Sequence, residues 1–413
     1  MDLDYRARVI AGSYILPVDV QNSNNPNMQQ MDVDIDVPAF LNKEKQSAPA
    51  NLQNYYLEFE DLYDRKLWHQ LTQKVLEFLK EPESGPHQIP LFQKFVVDWE
   101  NKINKLSLVY IGLTTAQKFT ELQDSVNFLS DIISKVDTPE TKDAYVYAVM
   151  ETAYFKLLMG QTEETKKAID ECEKILDQFD SVETVIYASF YRVSSEYFKA
   201  EADYAQYYKS ALLYLACINI NEQLSKKEKE ERAFDLAIAA LLGETIYNFG
   251  ELLMHPILDS WTGTEHEWLR TLLFAFNAGD IGKFESLAGH FSKVPVLQQN
   301  LNQMSRKICL MSLIEAVFKR SGDNRAIPFS EIAAETRLPN EEVEHLVMKA
   351  LSLNLIRGSI DQVDQIVIVT WVQPRVLDKD QIDGMRKRLD KWNKEVNKIA
   401  TFVKQEGGEV FAQ

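Results

Sequence analysis

The sequence predicts an all-α helical-repeat solenoid of the tetratricopeptide type. A winged-helix domain with a small β-hairpin and a C-terminal bundle helix follow the solenoid. Three observations predict this fold. Residues 50–303 show helical periodicity without a strand-like alternation, one motif recurs after 43 residues, and a strict seven-residue apolar repeat lies near the C-terminus.

The composition indicates an acidic protein of the reducing cytoplasm and nucleus. Among 413 residues, 45 are Lys or Arg and 62 are Asp or Glu, giving a net charge of −17. This charge repels phosphate backbones and disfavours bulk nucleic-acid binding. Three Cys residues without CxxC spacing argue against a disulfide framework or a zinc site. No apolar run reaches the roughly 18 residues that a membrane span needs, and the N-terminus lacks the pattern of a secretion signal.

Residues 1–47 are predicted to form a flexible extension rich in Asn and Asp. The segment from Gln21 to Asn27 and the acidic run from Asp32 to Asp36 offer little apolar surface to offset the entropy of ordering. The alternative is a segment that orders when it binds a partner.

Residues 48–303 are predicted to form the helical-repeat array. Amphipathic faces recur along it, and loops containing Pro or Gly separate them. Tyr154-Phe155-Lys156 recurs as Tyr197-Phe198-Lys199, and each copy leads through a polar turn into another helix. A third helix–turn–helix passes through Gly279-Asp280. Repeats of roughly 34–47 residues stack side by side. The alternative is an irregular helical domain in which the similarity arose by chance.

Residues 304–375 are predicted to form the winged helix. Ile308–Phe318 gives a first helix, Phe329–Glu335 a second, and the apolar face from Val343 to Leu351 a third. Two β-rich runs, 355–360 and 366–371, flank a polar turn. The third helix region, residues 340–353, carries three Glu and one Lys. Contact with protein is therefore favoured over reading of DNA.

No catalytic residue, cofactor or metal ligand is predicted. His266-Glu267-Trp268-Leu269-Arg270 lacks the second His of a zinc-binding HExxH motif. Gly279 to Lys283 lacks the spacing of a phosphate-binding loop, so Gly279 is interpreted as a repeat-turn glycine. Glu151, Glu163 and Glu164 are interpreted as part of a solvated helix face.

Residues 376–405 are predicted to form a helix with a seam for packing against other helices, and residues 406–413 a tail. Spacings that alternate between 3 and 4 are typical of helix bundles. The seam consists of Ile382, Met385, Leu389, Trp392, Val396, Ile399 and Val403. Arg386-Lys387-Arg388 on the same helix could instead touch nucleic acid or an acidic partner, but such residues more often solvate the outer face of a bundle helix.

Several strings resemble the family of PCI-domain scaffolding proteins, which occur in the proteasome lid, the signalosome and a translation initiation factor. Leu346–Leu351 and Leu355–Asp361 resemble the general PCI core. More specific strings resemble a non-ATPase subunit of the lid of the 26S proteasome regulatory particle. They are Lys66–Leu71, Glu231–Phe234, Leu241–Glu244, Asn248–Pro256 and Trp371–Asp378.

The resemblance implies a non-catalytic scaffold in ubiquitin-dependent protein degradation, within a hetero-oligomer. Its partners would be PCI-domain and metalloprotease-fold lid subunits and a ubiquitin receptor, with no nucleic acid or membrane. Ile356, Arg357, Gly358 and Ile360 would lie in the wing that packs against a neighbouring subunit, and the seam in a shared bundle. The alternative within the family is a scaffold of the signalosome or the initiation factor.

Overall fold

A computed structural model of the chain describes residues 37–320, 325–376 and 379–406. The chain divides into two compact units, residues 1–223 and 224–413. The described residues form helices and one small sheet, which confirms the predicted fold class. None of the described helices combines the length and the apolar character needed to cross a bilayer.

The first unit is helical throughout its described part, residues 37–223. A π-helical turn, Phe92–Val96, links α4 to α5, and short 3-10 turns precede α4 and α8. The helices are α1 Val37–Ser47, α2 Ala50–Asp64, α3 Trp68–Lys80, α4 Gly85–Leu91, α5 Val97–Trp99, α6 Lys105–Ala116, α7 Leu122–Val136, α8 Lys142–Leu158, α9 Thr162–Leu176, α10 Thr184–Ala200, α11 Tyr204–Cys217 and α12 Ile220–Gln223.

Helix α1 lies in the stretch that the sequence assigned to the flexible extension. Its Val37, Phe40 and Leu41, spaced as one helical face, are buried in the core of the first unit. Glu44 of α1 contacts His87 Nδ1 at 2.9 Å. The extension as predicted therefore contains a packed helix in its last eleven residues, while residues 1–36 lie outside the described part.

Two helical hairpins, α8/α9 and α10/α11, follow each other with a constant offset. Their first helices begin at residues 142 and 184 and their second helices at 162 and 204, both 42 residues apart. The Tyr-Phe-Lys string, with its offset of 43, is thus one residue out of step with the structural repeat. Because one residue turns a helix by about 100°, the two strings occupy different helix faces.

Glu151 of α8 does not belong to a solvated face, so that interpretation of the sequence was wrong. The residue is 7% exposed. It accepts hydrogen bonds from Ser189 Oγ at 2.6 Å and from Arg192 at 2.5 Å, both on α10. A carboxylate is buried only when it is paired in this way. Glu163 and Glu164, in contrast, are exposed.

The second unit continues with helices and ends in the winged helix and the C-terminal helix. Short 3-10 turns, Pro256–Trp261 and Ala288–Lys293, follow α14 and α16. The helices are α13 Lys226–Leu242, α14 Gly250–Met254, α15 Glu267–Ala278, α16 Ile281–Leu287, α17 Pro295–Gln299, α18 Leu301–Lys319, α19 Phe329–Thr336, α20 Asn340–Ser352 and α21 Lys379–Glu406; the strands are β1 Ala326–Pro328, β2 Ile356–Asp361 and β3 Ile366–Val372.

The winged helix consists of α18, α19 and α20 with an antiparallel sheet in the order β1-β3-β2. Its core includes Ile327, Ile332, Val343 and Val347, all at most 1% exposed. The three helices and the hairpin of β2 and β3 lie where the sequence predicts them. Strand β1 was not predicted, because it has only three residues and ends in a proline, a residue that is confined to sheet edges.

Candidate functional site

The C-terminal helix α21 carries the most extensive apolar surface of the described chain. Trp392 is 65% exposed, Ile399 63% and Leu389 62%, and the other four predicted seam residues are also exposed. Phe402, which the predicted seam did not include, adds a further ring that is 62% exposed. Phe402 lies next to Val403 in sequence and three residues after Ile399, at the edge of the seam. In the described part of the chain these eight side chains are 42–65% exposed.

Charged residues of α21 pair with each other along the helix. Arg386 and Lys387 both contact Asp383, at 2.8 and 2.7 Å, and Lys394 contacts Asp390 at 2.8 Å. These pairs are exposed, so solvent screens them and each contributes little to stability. They support helix formation and leave the apolar seam as the distinctive feature of α21.

The wing offers a second surface. Strand β2 lies at the edge of the sheet and pairs with β3 on one side. The backbones of β2 and β3 approach closely at a bulge between Arg357 and Gly358, where a Cβ on Gly358 would lie 2.0 Å from the carbonyl oxygen of Ile368. Only glycine fits this position. An edge strand can pair with a strand of another protein.

The predicted wing residues do not share one environment. The Ile356 side chain is 1% exposed and packs into the winged-helix core, and Ile360 is half-buried. Arg357 is exposed and lies over the ring of Trp371 at 4.7 Å. A partner that contacts β2 would therefore meet the backbone of Ile356 and the side chain of Arg357.

The turn at Gly279 is structural. Gly279 has a left-handed φ of +64°, and the Asp280 side chain accepts a hydrogen bond from Lys283 N at 3.0 Å, beginning α16. This turn borders a cavity of about 820 Å³. Charged side chains of the cavity form ion pairs, Arg320 with Glu331 and Arg337 with Glu285. The arrangement fits a repeat turn and shows no phosphate cradle.

Burial disfavours the reactive thiolate form of the cysteines. Burial raises the pKa of the Cys172 thiol to about 12, and burial also raises the pKa of Cys309. His266 packs against Phe234 and Trp261. Among residues 37–320, 325–376 and 379–406, no three His, Cys, Asp or Glu side chains cluster closely enough to hold a metal ion.

Sequence reasoning missed two buried cations of the second unit, one in α18 and one in the segment before α21. Arg375 and Lys307 are both almost fully buried, and each contacts backbone carbonyl groups of distant segments. Neither residue lies in a sequence pattern that indicates its partner. Arg375 lies within Trp371–Asp378, one of the strings that carried the family resemblance.

Three family models match the chain in succession. They are described as PSD13 N-terminal repeats, matching residues 55–273, PCI domain, matching 284–371, and Rpn9 C-terminal helix, matching 375–407. The last of these covers all of α21 and the four residues before it.

Curated relatives match nearly the whole chain. A probable 26S proteasome regulatory subunit rpn9 of Schizosaccharomyces pombe is 43% identical, over 92% of this chain and 99% of the relative. The 26S proteasome non-ATPase regulatory subunit 13 homolog A of Arabidopsis thaliana is 40% identical, over 90% and 98%. The 26S proteasome regulatory subunit RPN9 of Saccharomyces cerevisiae is 36% identical, over 91% and 98%. In contrast, COP9 signalosome complex subunit 7 of Dictyostelium discoideum is 27% identical over 43% of this chain.

Proposed function

The chain belongs to the Rpn9 family of 26S proteasome regulatory subunits, also called non-ATPase regulatory subunit 13, and from this premise we propose how it works. It is a non-catalytic structural subunit of the regulatory-particle lid and supports ubiquitin-dependent protein degradation. The signalosome and the initiation factor are not favoured, because the matches to a signalosome subunit and to an initiation-factor subunit are shorter and weaker.

The exposed seam of α21 is the observation that carries the mechanism. Fully burying one such side chain contributes about 1.5–3 kcal/mol, so a seam of this length stabilises an assembly strongly when neighbouring helices cover it. A contiguous apolar surface of this kind is typical of an interaction site. We assign the seven predicted residues, together with Phe402, to a helical bundle shared with other lid subunits.

The wing is assigned to contacts with a neighbouring PCI-domain subunit. The edge position of β2 and the exposed side chain of Arg357 support this assignment. Further partners are proposed from the family resemblance: metalloprotease-fold lid subunits and a ubiquitin receptor. The cytoplasm and the nucleus are the proposed compartments, in keeping with the reduced cysteines.

The seam is tested by replacing Leu389 and Trp392 together by Asp. Two charges in the seam oppose its burial, so the tagged variant should fold as a free chain but should not co-purify with the lid. A matched control, Asn397→Asp with Thr401→Asp, adds the same two charges at exposed positions away from the seam. The control should incorporate normally. Normal incorporation of the seam variant would contradict the proposed bundle.

A further inference from the structure

A four-residue segment, Gln373–Val376, connects the wing to α21; we call it the strap. Its first residue is fixed to the winged helix, because Gln373 N donates a hydrogen bond to Leu355 O at 2.8 Å. Its last residue, Val376, is three positions before Lys379, the start of α21. Since consecutive Cα atoms are 3.8 Å apart, the strap's end and the helix start lie within about 11 Å.

Arg375 binds the strap to helices α15 and α18. Its side chain is 5% exposed. It donates to Glu315 Oε2 of α18 at 2.5 Å and to Asn277 O of α15 at 2.5 Å. An arginine buried to this extent requires partners of this kind, so the strap is held at a defined place.

Val376 fits against a glycine. A Cβ placed on Gly250 would lie 2.3 Å from the Cβ of Val376, which is closer than real side chains approach. Asn248 turns the chain at the same place: its Oδ1 accepts from Gly250 N at 3.2 Å and lies 3.5 Å from Val376 N. The strap and the start of α14 are therefore complementary in shape.

Lys307 stabilises the segment that precedes Asn248 and Gly250. Its Nζ donates to Ala240 O and Gly243 O, both at 2.7 Å, at the C-terminal end of α13. The same ammonium lies 5.5 Å from the ring of Tyr247 and 5.2 Å from that of Phe249. Positive charge is favoured at a helix C-terminus and over aromatic rings. Lys307 thus fixes the loop that leads to Asn248 and Gly250.

Two neighbouring strings and a third that is distant in sequence therefore meet at one place. They are Leu241–Glu244, Asn248–Pro256 and Trp371–Asp378, the last two joined by contacts across 128 positions. We infer that residues 243–250 form a docking site for the strap. This docking fixes the position of the N-terminal end of α21, and thereby the position from which the seam contacts the lid. This inference rests on the proposed role of the seam and adds Gly250, Val376 and Arg375 as positioning residues.

The test uses the full-length chain and variants that leave the seam and the wing intact. Gly250→Ala adds one methyl group beneath Val376, and Gly250→Ala with Val376→Gly removes the opposing Cβ. Gly289→Ala is the matched control, because nothing lies within 4 Å of its added Cβ. Amide exchange at position 376, whose N–H faces Asn248 Oδ1 at 3.5 Å, reports docking of the strap. Competition between differently tagged wild type and variant, read from the purified lid, reports positioning.

In Gly250→Ala we expect exchange at position 376 to be about tenfold faster and incorporation to be about tenfold lower than in the wild type, the change that about 1.4 kcal/mol produces. The double variant should recover both values in part, and Gly289→Ala should match the wild type. If Gly250→Ala lowers the melting temperature more than the control does, Val376→Gly alone is judged by the same two readouts.

Unchanged exchange at position 376, or absence of recovery in the double variant, would overturn the docking site. Faster exchange with equal incorporation would overturn the positioning role. The Leu389→Asp/Trp392→Asp variant, included in the same competition, separates the two proposals. If it is excluded while Gly250→Ala competes equally, only the positioning role fails; if it also competes equally, the role of the seam fails.

Discussion

Gly160 and Ala202 occupy the same position in successive helical hairpins, 42 residues apart, and both have left-handed backbone conformation. Their φ angles are +81° and +59°. In each turn the next residue donates its N–H to the carbonyl five positions earlier, Gln161 to Lys156 and Asp203 to Phe198. This is the helix-ending arrangement that glycine favours. The second hairpin therefore carries a backbone strain that the first avoids.

Ala202→Gly should stabilise the first unit by about 1 kcal/mol, because an L-residue with a side chain pays about 1–2 kcal/mol in this conformation. Gly160→Ala should destabilise it by a similar amount, because Ala is strained at this positive φ. The added Cβ meets nothing within 4 Å, so no steric clash adds to that cost. Chemical denaturation of the free chain measures both. Ala168→Gly, inside α9, serves as control and should cost about 1 kcal/mol; a loss of that kind in Ala202→Gly would contradict the strain.

Gly279→Ala should be more damaging than Gly160→Ala. Both residues have positive φ, but a Cβ on Gly279 would lie 2.6 Å from Ser312 Cα and 2.8 Å from Ser312 N. Backbone atoms cannot move aside as a flexible side chain can. The added overpacking costs about 1–3 kcal/mol beyond the conformational term. Equal losses in the two variants would show that α18 yields at Ser312.

Glu151→Gln should destabilise the first unit by about 2 kcal/mol, the contribution of hydrogen bonds to a charged group. The amide keeps the shape of the side chain but cannot accept two charge-assisted bonds from Arg192. Glu163→Gln is the control, and its exposed side chain predicts a change within about 0.5 kcal/mol. Thermal unfolding of both variants compares the two sites. A loss no larger than that of the control would mean that the pair contributes little.

The stability contributed by Lys307 should depend on pH. Burial lowers its pKa from 10.5 to about 7. Between these values the unfolded chain binds more protons than the folded chain, so the free energy of unfolding rises with pH. Relative to that of Lys307→Met, the free energy of unfolding of the wild type should rise by up to about 1.4 kcal/mol per pH unit above pH 7. Denaturation at pH 7.0 to 9.5 measures this gain.

Tyr247, whose ring faces Lys307, should not contribute to that gain, because burial raises its pKa above the ordinary value. The difference in free energy of unfolding between wild type and Lys307→Met could instead stay constant with pH. That result would indicate that the two carbonyl groups and the rings keep the ammonium charged over the whole range.

Periodicity predicted the helices, the hairpin of β2 and β3, and the apolar seam, since each depends on residues close in sequence. It missed pairings between distant residues. Glu151 looks like a surface carboxylate until Arg192, 41 positions later, is brought beside it. The strap is another case. Arg375 and Val376 belong to a short polar segment, and only the folded chain brings them to Asn277 and Gly250.

The length and exposure of α21 also bear on how the free chain is kept soluble. At 1.5 Å per residue its 28 residues extend about 42 Å, with large apolar side chains along that length. A chain made in excess of its partners would carry this surface uncovered, where it favours self-association and recognition by chaperones. On the proposed assembly, the amount of this protein that a cell can keep in solution is tied to the supply of the subunits proposed to cover the helix.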